Sequence, residues 1–203
     1  MAQVRTMRYR SRWVHVLFLF LLPGLLLAFC QKDTQTTPAY SLQEARKVLA
    51  AIDKIEAETQ QPWAGPLRSF TISESEFNSY IAYRIENEQE EIMKELRLKL
   101  FDDNKIEGKI HIDLRGQDIP RFIRPEMDVY FAADLLAENG QAKIDMKELF
   151  LGDEPIRPMI LDLVIAISAR LNNVKATSIN DWYELPYGIK EIKTEKGKAT
   201  FYY

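Results

Sequence analysis

Leu96-Arg97-Leu98-Lys99-Leu100 and, after the turn Asp102-Asp103-Asn104, Ile106-Glu107-Gly108-Lys109-Ile110-His111-Ile112-Asp113-Leu114 decide how this chain is read. Apolar and polar side chains alternate through both stretches, the period of strands with one buried face and one wet face. The same alternation returns at Met127, Val129, Phe131, Ala133 and Leu135. Glu138-Asn139-Gly140 is a hairpin turn signal, and Ala142, Ile144 and Met146 resume the pattern beyond it. Past Met146 the phase slips, because Leu149 and Leu151 fall on the opposite parity, and a bulge that bends the strand is the simplest repair. Gly108 marks a second place for strong bending. The expectation is a meander of long, curved antiparallel strands over about 94–151.

Downstream, Pro155 suits the first turn of a helix. Pro158-Met159-Ile160-Leu161-Asp162-Leu163-Val164-Ile165-Ala166-Ile167-Ser168-Ala169-Arg170-Leu171 is apolar nearly all round. Such a helix is buried on most sides or meets a membrane or lipid, and at this length it is too short to span a bilayer. Asp181 to Ile189 leads into two closing strands, about 188–194 and 198–203, joined at Glu195-Lys196-Gly197-Lys198.

Upstream, Ser41 with Glu44 has the spacing of a capping box, and Leu42, Ala45, Val48, Leu49, Ile52 and Ile55 make one helical stripe, so a helix is predicted over 42–58. Gln60 to Pro66 breaks it, and Leu67 to Ile72 reads as a short strand. Ser73 with Glu76 repeats the box and opens a helix with Phe77, Tyr80, Ile81 and Ile85 on its apolar face, while Glu86 to Glu91 reads as solvated. The expected fold class is α+β: a highly curved antiparallel sheet wrapped around an apolar helix, with additional N-terminal helices, in one domain at 41–203.

The first thirty residues read differently. Arg5, Arg8, Arg10 and Arg12 precede an apolar run of 17 residues from Trp13 to Phe29, closed by Cys30, the one cysteine of the chain. That order is an export signal and stands outside the fold. Three outcomes stay open. Leu27-Ala28-Phe29-Cys30 resembles a lipobox, with a bulky Phe29 where a small residue is usual, and would make Cys30 a lipidation site. Cleavage near Ala28 or Cys30 would release the chain, and no cleavage would leave a short single-span anchor, which Pro23-Gly24 disfavours. Gln31 to Tyr40 is polar and reads as a tether. An exported location at the periplasm or cell envelope, held at the membrane through the N-terminus, is the expectation.

Residues 31–203 carry 23 Lys and Arg against 30 Asp and Glu, a formal net charge of −7. That balance argues against nucleic acid, whose phosphates require a concentrated basic surface. With one cysteine no internal disulfide forms, and core packing carries stability. Chemistry is equally sparse. His111 is the single histidine after residue 30 and belongs to the polar face of a strand; no G-x-S-x-G stretch, zinc ligand set or phosphate-cradling glycine loop accompanies it. Asp102-Asp103, Asp153-Glu154 and Glu90-Glu91 sit at turns or in a polar helix tail, where nothing raises a carboxyl pKa for acid catalysis. A hydrolase would need His111 or one of these pairs in a cleft. Neither a cofactor, a metal nor an enzymatic activity is expected. Aromatic residues such as Tyr80, Tyr83, Trp182, Tyr183, Tyr187, Phe201, Tyr202 and Tyr203 read as core or rim packing rather than a stacking surface.

Phe70-Thr71-Ile72-Ser73-Glu74-Ser75-Glu76-Phe77-Asn78, the meander, Pro155-Ile156-Arg157-Pro158 before the apolar helix, and Leu185-Pro186-Tyr187-Gly188-Ile189 before the last strands follow one another in an order that resembles the bacterial branch of the tubular lipid-binding (TULIP) superfamily. These relatives of bactericidal/permeability-increasing protein include LmeA-type phospholipid-binding proteins. The resemblance covers about 67–203 and implies a curved sheet around a long helix, an enclosed lipid and a membrane-tethered, non-catalytic protein. From the alternation, Leu98, Leu100, Ile110, Ile112, Val129, Phe131, Ile160, Leu163, Val164 and Ile167 are expected to line an apolar groove. Whether that interior is hollow for a lipid or filled, as in an envelope scaffold or protein-interaction domain with an unknown protein partner, is left open by the residues. Palmitate labelling in an exporting bacterial host tests the anchor: label is expected on the wild type and absent from Cys30→Ala, and equal labelling of both would remove the lipobox reading.

Overall fold

The computed structural model describes residues 40–88, 92–121, 123–171 and 175–203. The export signal, Cys30, nearly all of the tether and the Glu90-Glu91 pair lie outside them. Among the described residues, three α-helices and a strongly curled antiparallel half-barrel with a small second sheet make an α+β fold. In chain order the elements are α1 (Leu42–Thr59), β1 (Ser69–Ser73), α2 (Glu74–Asn87), β2 (Met93–Leu100), β3 (Lys105–Asp113), β4 (Glu126–Glu138), β5 (Gln141–Leu151), β6 (Glu154–Pro155), α3 (Met159–Leu171), β7 (Tyr183–Glu184), β8 (Glu191–Glu195) and β9 (Lys198–Tyr202). The large sheet runs β2-β3-β4-β5-β6, with β7 also on β5, and the small one runs β1-β9-β8.

The alternation sets which face of the half-barrel is buried. Ile106, Ile110 and Ile112 of β3 and Met127, Val129, Phe131, Ala133 and Leu135 of β4 all lie in the core. The predicted slip in β5 is a bulge: Ala133 opposes Met146 while Ala132 opposes Glu148, so Lys147 is the extra residue and Leu149 turns inward. A second bulge at Lys94 keeps Met93 and Leu96 on the same buried face, opposite Ile112 and Ile110. These bulges in β2 and β5 add twist, which curls the sheet.

Gly108 acts through close approach. It lies opposite Phe131, and a Cβ there would come within 2.4 Å of two Phe131 ring atoms and 3.0 Å of the Arg97 carbonyl oxygen. The glycine gives the aromatic ring a floor to lie on, on the inner face of the curl.

Helix α2 begins at a full capping box. The Ser73 hydroxyl accepts from the Glu76 N–H, and the Glu76 carboxylate accepts from the Ser73 N–H at 2.9 Å. Further along, Asn78 imitates a peptide group: its Nδ2 donates to the Leu98 carbonyl and its Oδ1 accepts from the Leu98 N–H, both at 2.8 Å. Glu74 accepts from the Leu100 N–H at 2.7 Å. These side chains satisfy the free edge of β2 and close a row of groups that would otherwise template another strand. The opposite side of α2 packs on α1, where the fully buried Tyr80 accepts from Arg84 Nη1 at 2.9 Å and Arg84 pairs with Glu88. Burial pushes the Tyr80 hydroxyl pKa up to about 12.

The two sheets are joined at Asn104, which is left-handed at φ 59. Its side-chain oxygen accepts from the Thr194 N–H at 2.7 Å and its carbonyl from the Leu135 N–H at 2.8 Å. The closing strands are shorter than predicted: a 3₁₀ turn at Pro186–Gly188 precedes β8, and Lys196-Gly197 forms the turn to β9.

Substituting Gly108→Ala is expected to cost about 1–3 kcal/mol, because Phe131 is held in the core and cannot swing aside. Urea unfolding measures it, and the double variant with Phe131→Leu should recover part of the loss. Independent, additive effects of the two substitutions would contradict the account.

Candidate functional site

The concave face of the half-barrel is longer than any helix that covers it. Strand β4 has 13 residues, about 43 Å at the rise of a strand; helix α3 also has 13 but spans only about 20 Å. Accordingly α3 covers one end of the trough, while α2 with β8 and β9 covers the other. The apolar helix expected from the sequence lies over the sheet and shares the cover with α2, β8 and β9.

Each cover leaves an apolar cavity beneath it. Under α3 lies one of about 50 Å³, between Ile92, Met93, Leu96, Ile110 and Ile112 of the sheet side and Leu161, Val164, Ile165, Ser168 and Ile179 above. Under α2 lies one of about 80 Å³, between Leu98, Leu100, Ile106, Phe131, Leu135 and Ile144 and the covering Phe77, Ile81, Ile192, Ala199 and Phe201. Leu96 is the one residue that lines both. Phe201 locks the second cover together, stacked on Phe70 with ring centres 4.9 Å apart and edge-on to Phe77 at 6.2 Å.

The ten residues expected to line a groove divide three ways. Ile110, Ile112 and Val164 line the cavity under α3; Leu98, Leu100 and Phe131 line the one under α2. Val129 and Ile167 are buried core residues that border neither, and Ile160 and Leu163 are half-buried on the flank of α3. The important residues left out of the expectation are Leu96, Phe77 and Ile81. Leu96 stands in the same alternating run as Leu98 and Leu100, and Phe77 and Ile81 lie on the named apolar stripe of α2; what the sequence lacked was any sign that this stripe faces the sheet.

Polar ties hold helix α3 at both ends. Asp162, an odd residue in so apolar a segment, accepts from Ser178 Oγ at 3.0 Å and the Ile179 N–H at 2.8 Å, holding the loop after the helix against it. Arg170 donates through Nη2 to the Asp118 carbonyl at 3.3 Å. No strand runs along α3 at close backbone distance, whereas α2 lies along both α1 and β2.

The groups considered for catalysis occupy other places. His111 is on the convex face, with Nδ1 2.8 Å from Asp128 and Nε2 3.5 Å from Glu126. That hydrogen bond, seconded by Lys109, holds the Asp128 carboxyl below the usual range. Asp102 accepts from the Lys196 N–H at 3.0 Å, a tie between the β2–β3 turn and the β8–β9 hairpin. Asp153 precedes β6 and Glu154 opens it, and both are exposed. No protein-family model, curated protein or solved structure matches this chain.

Leu96→Ala is expected to join the two cavities, at a cost of about 2–5 kcal/mol in unfolding free energy. A crystal of the variant pressurised with xenon should show gas bound across the former partition; an unbroken wall there, or a cost below 1 kcal/mol, would show that another residue separates them.

Proposed function

We propose that this protein binds the acyl portion of a lipid, or a comparable apolar ligand, along the trough of the half-barrel, as an exported, membrane-tethered carrier without a catalytic step. The observation that carries the proposal is the pair of apolar cavities under two separate covers, with Leu96 lining both. In this reading the finer architecture is that of the tubular lipid-binding superfamily, with α3 as the movable cover and the N-terminal segment as tether. The order of sequence motifs supports it, and three of those motif residues have a physical task here: Ser73 and Glu76 start α2, and Asn78 lays it along the edge of β2.

The energetics set what must move. Ligand pockets usually measure about 300–1,000 Å³, and these cavities hold about 50 and 80 Å³. A chain enters only if α3 lifts and Leu96 turns aside. Each methylene buried returns about 0.8 kcal/mol, so ten of them offset about 8 kcal/mol of opening and ordering. The small volumes themselves favour the second reading, an envelope interaction domain whose interior stays filled.

Organic extraction and mass spectrometry of the natively purified protein decide between them. Lipid is expected with the wild type and at least ten-fold less with Ile167→Glu, which places a carboxylate beside the trough. Leu98→Trp, which fills the larger cavity from a half-buried position, is expected to lower lipid content while keeping the circular dichroism of the wild type. Wild-type protein free of lipid, and unable to take up any from vesicles, would leave the filled scaffold as the reading.

A further inference from the structure

We propose that the outer face of α3 is a docking surface for an anionic lipid bilayer. Met159, Ala166 and Arg170 are exposed at the spacing of one helical face, opposite the buried Leu161, Val164, Ile165 and Ile167, and Leu163 within that row is half-buried. Met159 is 67% exposed, Leu171 at the helix end 39%, and Ala166 is open to solvent. A helix in water ordinarily carries polar residues on its outer row; this one continues apolar until Arg170.

Cations surround that row. Arg157 precedes the helix, Arg170 ends it and Lys175 follows. The hydrogen bond from Arg170 to the Asp118 carbonyl brings the loop between β3 and β4 to the end of α3, and this loop carries Arg121 and Arg124. Arg121, Arg124, Arg157 and Lys175 are exposed and make no ion pair among the described residues. Of the nearby acids, Asp162 is engaged by Ser178 and Ile179 and Asp181 by the Ser178 N–H, leaving Asp118 on the loop and Asp153 and Glu154 ahead of Arg157.

An apolar row with arginines at its margins, on a chain whose residues 31–203 sum to −7, matches the layering of a bilayer: acyl chains at the centre and phosphates at the rim. Trp182, 42% exposed on the stretch that follows the Asp162-anchored loop, has the amphipathic ring suited to that boundary. A second copy of the chain fits less well, because a two-fold contact would set one arginine collar against the other. Among the described residues no helix is long and apolar enough to cross a membrane, so α3 would lie on the surface.

The test uses the full chain with Cys30→Ser, so that a cysteine introduced by Ala166→Cys carries the only bimane label, and a second protein labelled through Lys99→Cys on the convex face as reference. Vesicles of phosphatidylcholine with phosphatidylglycerol, both with brominated acyl chains, should quench the label at 166 and leave that at 99 unchanged, whatever the N-terminal segment does. Ala166 faces away from both cavities, so a lipid taken into the trough does not produce the signal. Charge reversal at Arg121, Arg124 and Arg157 should weaken binding at this face by about five-fold or more for each residue, and raised salt should do likewise. Absence of quenching at 166, equal quenching at 99, or identical quenching with phosphatidylcholine alone would overturn the proposal. Loss of lipid co-purification with quenching intact would count against the carrier reading alone.

Discussion

An amphipathic sheet that curls has to bury its concave face, and here the face is about twice as long as the helix most suited to cover it. From that mismatch between a 13-residue strand and a 13-residue helix the remaining architecture follows. The far half of the trough needs a second roof, which α2 and the β8–β9 hairpin supply, and a roof in two pieces meets its floor imperfectly. The cavities on either side of Leu96 are the residue of that imperfection.

The two roofs are attached in different ways. Helix α2 is fixed by backbone-like hydrogen bonds to the β2 edge, by the capping box at Ser73 and by the aromatic contacts of Phe77 and Phe70 with Phe201. Helix α3 rests on side chains, with Asp162 and Arg170 among its polar ties. Elements that share few backbone contacts with the rest of a fold open before it does. In the proposed reading α2 is therefore the wall of the trough and α3 its door.

Much of this was legible in the residues. Alternation located β2 to β5, the parity slip after Met146 announced the bulge at Lys147, and the two Ser-x-x-Glu spacings marked the starts of α1 and α2 within a residue, although only Ser73 with Glu76 closes a full box while Glu44 turns to Ser75 and Ser79. Gly108 reads as a place for bending, and in the fold it admits the Phe131 ring. The pairing of β1 with β9 escaped, because it joins residues about 130 positions apart and leaves no local period. The two-residue strands β6 and β7 are too short to carry a pattern. For the site, six of ten residues border a cavity, all from faces whose period was clear; Leu96 and the α2 stripe were missed because periodicity states which face is apolar and never what it faces.

Hydrogen–deuterium exchange resolved along α3, β3 and β4 of the unliganded protein tests the account most directly. If α3 is the openable cover of the trough, its amides between Leu163 and Leu171 exchange at least ten-fold faster than those of Ile110 and Val129, at a urea concentration well below global unfolding. Exchange of α3 as slow as that of β3 and β4, with the same dependence on urea, would mean that the helix leaves only when the whole protein unfolds, and the trough would have no door.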